Sequence, residues 1–132
     1  MWSWSGAVAV GAGAAVGAWL RWALGMLLNP VFPTLPLGTL AANLGGGLLM
    51  GVAMEFMARA TTMSPELRLV MTTGFLGGLT TFSTFSAEIT GLLLRGEWLW
   101  SAVGTLAHVV GSVALTITGI LLVRAIAAAV AG

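Results

Sequence analysis

The chain has 132 residues, of which 58% are hydrophobic and 7% charged, with a net charge of +1 and a mean hydropathy of +1.03. Soluble domains carry about 25% charged residues, so this composition describes an integral membrane protein with no room for a soluble domain, and the near-neutral charge excludes a nucleic-acid-binding surface. No cysteine is present, which excludes disulfides, thiolate nucleophiles and cysteine metal sites.

A helical span needs about 20 mostly apolar residues. Charges and turn residues divide the chain into four such stretches, a single transmembrane domain over residues 1–132. The first, Ser5–Leu28, follows no basic segment and shows no small-residue cleavage pattern, so it is expected to be a permanent span rather than a removed leader. Within it Gly13 and Gly17 stand one turn apart, a spacing that lets helix backbones approach. Arg21 lies deeper than a headgroup anchor needs; it is expected either to pair with a carboxylate or to anchor the span. The first span has no carboxylate of its own.

Asn29–Pro36 carries three prolines and interrupts helix. In the second span, Leu37–Met57, the residues Thr39, Asn43, Gly46, Gly47 and Met50 fall on one face, and Gly47 with Gly51 repeats the close-packing spacing. Asn43 is the one amide inside a span, and its NH2 group offers two donors to an anion or to a neighbouring carbonyl. Arg59 to Arg68 forms the most polar connection, where Ser64 and Pro65 read as the N-cap and first residue of the next helix. Glu55 and Arg59 are close enough to the span end to reach headgroups.

The third span, Leu67–Leu94, contains Gly74-Phe75-Leu76-Gly77-Gly78-Leu79-Thr80-Thr81-Phe82-Ser83-Thr84-Phe85-Ser86, with three glycines and five hydroxyls at its centre. Two conformations are open to it. A break at Gly77-Gly78 would free carbonyls for a cation and make the start of the following half-helix favourable to an anion. An intact helix would instead have its serines and threonines bond back to their own carbonyls. Phe82 and Phe85, three residues apart, share a face that Glu88 extends, and the edge of an aromatic ring is electropositive.

Arg95-Gly96-Glu97 closes that span with a cation and a glycine. On the fourth, Trp98–Val123, the residues Ser101, Thr105, His108, Ser112 and Thr116 form one polar stripe that faces either a partner helix or a wet passage. His108, without a carboxylate at a recognisable spacing, reads as a hydrogen-bonded packing residue. The tryptophans lie mostly near span ends, as an interfacial belt requires. Arg59, Arg68 and Arg124 share one side and Arg21 and Arg95 the other. So weak a bias predicts insertion in both orientations and an antiparallel homodimer. No nucleophile motif, metal-ligand cluster or phosphate-cradling loop occurs, and the chain is not expected to be an enzyme.

The third-span motif, continued to Glu88, together with Gly17-Ala18-x-x-Arg21-Trp22 and Gly38-Thr39-Leu40-x-x-Asn43-x-x-Gly46, resembles the Fluc (CrcB) fluoride channels over nearly the whole chain. Trp22 stands where a Tyr is common in that family. The resemblance implies an all-α protein of the bacterial plasma (inner) membrane with four transmembrane helices, the third broken near its centre. It implies a dual-topology antiparallel homodimer with two pores that passes fluoride passively and confers fluoride resistance. By the same resemblance Phe82 and Phe85 line the fluoride path and Asn43 donates to the ion. Ser83, Thr84, Ser112 and Glu88 complete the pore set, and the backbone carbonyls of Gly77 and Thr80 from both subunits hold a structural Na+. The partners it implies are a second copy of the chain, fluoride and membrane lipid. A small multidrug-type proton-coupled transporter is the alternative of similar size, but that class needs a carboxylate in its first span, and Ser5–Leu28 has none. A purely structural subunit is a third reading, in which Asn43 and the phenylalanines only pack.

Overall fold

In hydrocarbon each backbone N–H and C=O must find its partner within the protein, and a chain without period-two alternation meets that demand by forming helices. A computed structural model describes residues 2–132, and every regular element among the described residues is helical. Helix α1 is Trp4–Leu28, started by Ser3, whose Oγ accepts from the Gly6 N–H. A 3-10 turn, Asn29–Val31, leads to α2, Leu37–Arg59. Asn29 begins α2 from a distance: its Oδ1 accepts the N–H groups of Gly38 at 2.8 Å and Thr39 at 3.3 Å, replacing the cap that Pro36 cannot supply. Arg68 finishes α2, since its Nη2 donates to the carbonyls of Met57 and Ala60.

The next stretch is less regular. Helix α3, Pro65–Leu69, is capped by Ser64 as the sequence predicts. It runs into a π-helical segment, Val70–Leu76, then α4, Gly77–Leu79. Thr80 and Thr81 are extended, with φ/ψ of −84°/153° and −150°/116°, and helix resumes as α5, Phe82–Leu94. Helix α5 ends in a Schellman motif: Gly96 takes φ 74°, its N–H bonds to the Leu93 carbonyl, and the Glu97 N–H reaches the Leu92 carbonyl. Helix α6, Trp98–Ala131, continues eight residues beyond the expected end at Val123. At about 1.5 Å per residue it is longer than the roughly 30 Å of a hydrocarbon core.

Among the described residues three helices are long and apolar enough to cross a membrane: α1 with its 3-10 turn, α2 and α6. The protein is an integral membrane protein. Its helices meet where glycine removes side chains. Gly13 and Gly17 bring α1 against the backbone of Val70, Phe75 and Leu79, and Gly78 answers by seating on Ala14. Gly47 and Gly51 bring α2 against the carbonyls of Ser112 and Thr116 on α6, the most extensive helix pairing in the fold. Ala42, Ala53, Leu76 and Leu79 are buried between these pairs.

The glycine pair does not break the helix. Gly77 keeps helical angles, φ −64° and ψ −36°, and the extended residues are Thr80 and Thr81. Glycine in a helix costs only about 1 kcal/mol, less than leaving a carbonyl dry. The chain therefore departs from helix where another side chain offers replacement bonds.

Candidate functional site

That side chain is Asn43. Its Oδ1 accepts the Thr81 N–H at 2.7 Å, and its Nδ2 donates to the Thr81 carbonyl at 3.0 Å. The amide thus pairs with one extended residue as a neighbouring strand would, which fixes its orientation, because a backbone N–H can only donate and a carbonyl can only accept. Nδ2 also lies 3.0 Å from His108 Nδ1. Asn43 is therefore fully engaged inside the protein, a brace between α2, the interruption and α6. The sequence had left its donors open to an anion or a carbonyl.

The brace changes which backbone groups are free. The N–H that would close a helical turn onto the Gly77 carbonyl belongs to Thr81 and is given to Asn43. The N–H that would close onto the Thr80 carbonyl belongs to Thr84 and is given to Thr81 Oγ1 at 3.1 Å. Gly77 and Thr80 thus present carbonyl oxygens whose α-helical donors are directed elsewhere. Carbonyl oxygens of this kind are hard donors. The Gly78 carbonyl is taken by Arg21 Nε at 3.1 Å, so Arg21 meets the main chain beside the interruption rather than a carboxylate.

Two cavities flank Thr81. One, of about 420 Å³, is lined by Asn43, Thr80, Phe82, Phe85, His108 and Ser112 among others. Phe85 is buried, at 7% exposure, with its ring centroid 4.7 Å from the His108 ring and 5.4 Å from that of Phe82. Phe82 is 77% exposed, so this cavity has an open side. The other, also about 420 Å³, is lined by Arg21, Trp22, Asn29, Thr39, Thr81 and Thr84. A third cavity, about 490 Å³ between α1, α2 and the π-helical segment, has walls of apolar side chains and glycine and no chemistry to offer.

Four of the residues singled out from sequence, Asn43, Phe82, Phe85 and Ser112, therefore share one cavity, and Thr84 lines the other. Ser83 lines neither and lies 3.3 Å from the Thr81 hydroxyl. Glu88 stands beyond Phe85, where Oε1 accepts the Thr39 hydroxyl at 2.6 Å. The polar stripe of α6 turns toward α2: Ser112 Oγ donates to the Asn43 carbonyl at 3.5 Å and Thr116 Oγ1 to the Gly47 carbonyl at 2.9 Å. Sequence reasoning gave no role to Thr81, whose backbone is the pivot of the site, and placed Thr39 on the Asn43 face without making it the donor to Glu88. For Thr39 the signal was that helical face of α2, where it stands one turn from Asn43. Glu55 joins Arg59 at 2.9 Å and Arg124 at 3.0 Å, linking α2 to α6.

The family model described as "CrcB-like protein, Camphor Resistance (CrcB)" matches residues 8–120. Among curated relatives, one called a fluoride-specific ion channel FluC from Nitrosospira multiformis is 61% identical over 116 residues, covering 88% of this chain and 91% of its own length. Another of that name, from Aromatoleum aromaticum, is 62% identical over 112 residues, 85% of this chain and 86% of the relative. A third, from Ralstonia pickettii, is 56% identical over 119 residues, 90% and 94% of the two chains.

Proposed function

The chain belongs to the CrcB family, and from that premise we propose that it is a passive fluoride channel of the bacterial inner membrane that protects the cell from fluoride. It is a transport protein and not an enzyme, as befits a family whose relatives carry the name of an ion channel. The observation that carries this reading is the interruption at Thr80 and Thr81, braced by Asn43 at the wall of a cavity that also holds Phe82, Phe85 and Ser112. Residues Pro65–Leu94 then make one crossing in two pieces, the fourth beside α1, α2 and α6. Non-helical backbone is tolerated at membrane depth only inside protein or beside a wet passage.

Stripping an isolated ion of water costs tens of kcal/mol in a medium of low dielectric. A path must replace that water with donors and positive ring edges that hold the ion weakly enough to release it. Phe82 and Phe85 offer ring edges, and Ser112, Ser83 and Thr84 offer hydroxyls. Asn43 contributes by fixing the path, and would donate to the ion directly only by exchanging one of its present bonds. Glu88, held by Thr39, ends the phenylalanine face.

A second, antiparallel copy closes the open side of the Phe82 cavity and yields two pores per dimer. The three-against-two arginine distribution supports insertion both ways up. The Gly77 and Thr80 carbonyls of both copies would hold a Na+ at the shared axis, where the ion supplies charge to offset converging carbonyl dipoles. The test is fluoride efflux from liposomes containing the purified protein, with chloride as control. Rapid, proton-independent loss of fluoride is expected, abolished by Phe82→Ile or Phe85→Ile with the dimer retained. Flux unchanged by both substitutions would return the phenylalanines to packing.

A further inference from the structure

The apolar cavity between α1, α2 and the π-helical segment has no part in the channel reading, and it shares no lining residue with the Phe82 cavity. It measures about 490 Å³, with Val16, Val52, Phe56, Met71 and Phe75 among its walls. On α2 it runs from Leu49 to Phe56, about 10 Å along the axis and roughly a third of a hydrocarbon core. It opens sideways, since Val16 is 51% and Phe56 49% exposed. The face assigned to a second copy lies elsewhere. Gly77, whose carbonyl is assigned to the dimer axis, is exposed and stands two residues from Phe75, and helix positions two apart do not share a face.

Two arginines stand at one end of this groove. Leu49, Val52, Phe56 and Arg59 follow one another at steps of three, four and three, so the stripe of α2 that walls the groove ends in a guanidinium. On the other wall Arg68 stands two residues before Val70, a lining residue, and its Nη2 reaches the Met57 and Ala60 carbonyls at the end of α2. Arg59 gives Nε and Nη2 to Glu55. Among the described residues nothing pairs with Arg59 Nη1 or with Nε and Nη1 of Arg68. Arg59, Arg68 and Arg124 face Glu55 and Glu66 at this end, which leaves one positive charge in excess.

We propose that the groove seats one acyl chain of an anionic phospholipid whose phosphate is held by Arg59 and Arg68. Lipid tails are as apolar as leucine, so the chain gains nothing by leaving water; van der Waals contact in a shaped crevice holds it. The head supplies the selectivity. Guanidinium N–H groups match phosphate oxygens, and an end with excess positive charge favours a headgroup with net negative charge.

Mass spectrometry of the protein released intact from detergent counts bound lipid directly. After exposure to equal amounts of dioleoyl phosphatidylglycerol and dioleoyl phosphatidylcholine, and washing, the protein should keep one phosphatidylglycerol per protomer. Arg59→Gln should weaken that binding about fivefold, the effect of one arginine near an anionic membrane surface. Val16→Trp, which fills the groove, should abolish it without changing the oligomeric mass, whereas Leu106→Trp, at another exposed position, should leave it intact. Equal retention of the two lipids, or Arg59→Gln binding like the parent, overturns the headgroup contact. Phosphatidylglycerol kept by Val16→Trp overturns the groove, and Val16→Trp that loses its partner subunit does so too, because a second copy then fills that space.

Discussion

Replacing Asn43 by alanine tests whether one amide holds the interruption open. The substitution removes bonds of 2.7, 3.0 and 3.0 Å, two of them to the N–H and C=O of Thr81, a buried residue with no helical partner to return to. Side-chain hydrogen bonds inside membranes average about 0.6 kcal/mol, so three give a lower bound near 2 kcal/mol. A backbone group left dry costs about 1–3 kcal/mol, but water can enter through the open side of the cavity and keep the loss near the lower figure. Two kcal/mol corresponds to about a 30-fold change in a local opening equilibrium. The assay is amide hydrogen exchange in reconstituted protein, in which the Thr81 amide should exchange about 30-fold faster while amides in the middle of α6 keep their rates. Fluoride efflux should fall with it. Asn43→Asp keeps the acceptor for the Thr81 N–H but turns both donors into acceptors facing the Thr81 carbonyl and His108 Nδ1, so it should exchange at least as fast as the alanine variant. Parental exchange at Thr81 in Asn43→Ala would refute the brace.

The glycines divide by what a methyl group would meet. In Gly17→Ala the new Cβ runs into the Phe75 carbonyl, with the Leu79 nitrogen 2.7 Å away, so α1 must separate from the interrupted segment. Overpacking of this kind costs about 1–3 kcal/mol. Gly11→Ala meets nothing within 4 Å; it should melt like the parent in detergent, Gly17→Ala well below it, and equal melting would remove the packing argument. Thr39→Val deletes the 2.6 Å donor to Glu88 and leaves Oε1 without that partner beside an Oε2 that already has none. It should lower stability by about 1 kcal/mol or more, with Thr39→Ser keeping most of the parent's stability; a valine variant as stable as the parent would show that the hydroxyl does not matter there.

Much of this arrangement was legible in the residues. The Ser64 cap, the Gly96 stop and the two close-packing glycine pairs each depend on neighbours within a few positions, and local spacing reports them directly. The α6 stripe was legible too: Ser112 and Thr116 bond to α2, and Ser112 and His108 line a cavity. The position of the interruption was misplaced by three residues, onto Gly77-Gly78. Glycine propensity is a local signal of about 1 kcal/mol, and it was outweighed by a bond pattern involving a residue 38 positions away. Of the two roles left open to Arg21, the pairing with a carboxylate does not occur; its acceptor is a main-chain oxygen that composition cannot reveal.

Sequence alone determined that this chain lies in a membrane, that it is helical and where its connections fall, because hydrophobicity and turn chemistry act over short stretches. Its kinship was likewise written in three motifs that no composition argument needed to support. Tertiary structure decided which backbone groups at Thr81 leave the helix and which carbonyls, those of Gly77 and Thr80, lose their helical donors. Each of those depends on Asn43 arriving from another helix, and a hydrogen bond between distant residues exists only once the helices that carry them have packed.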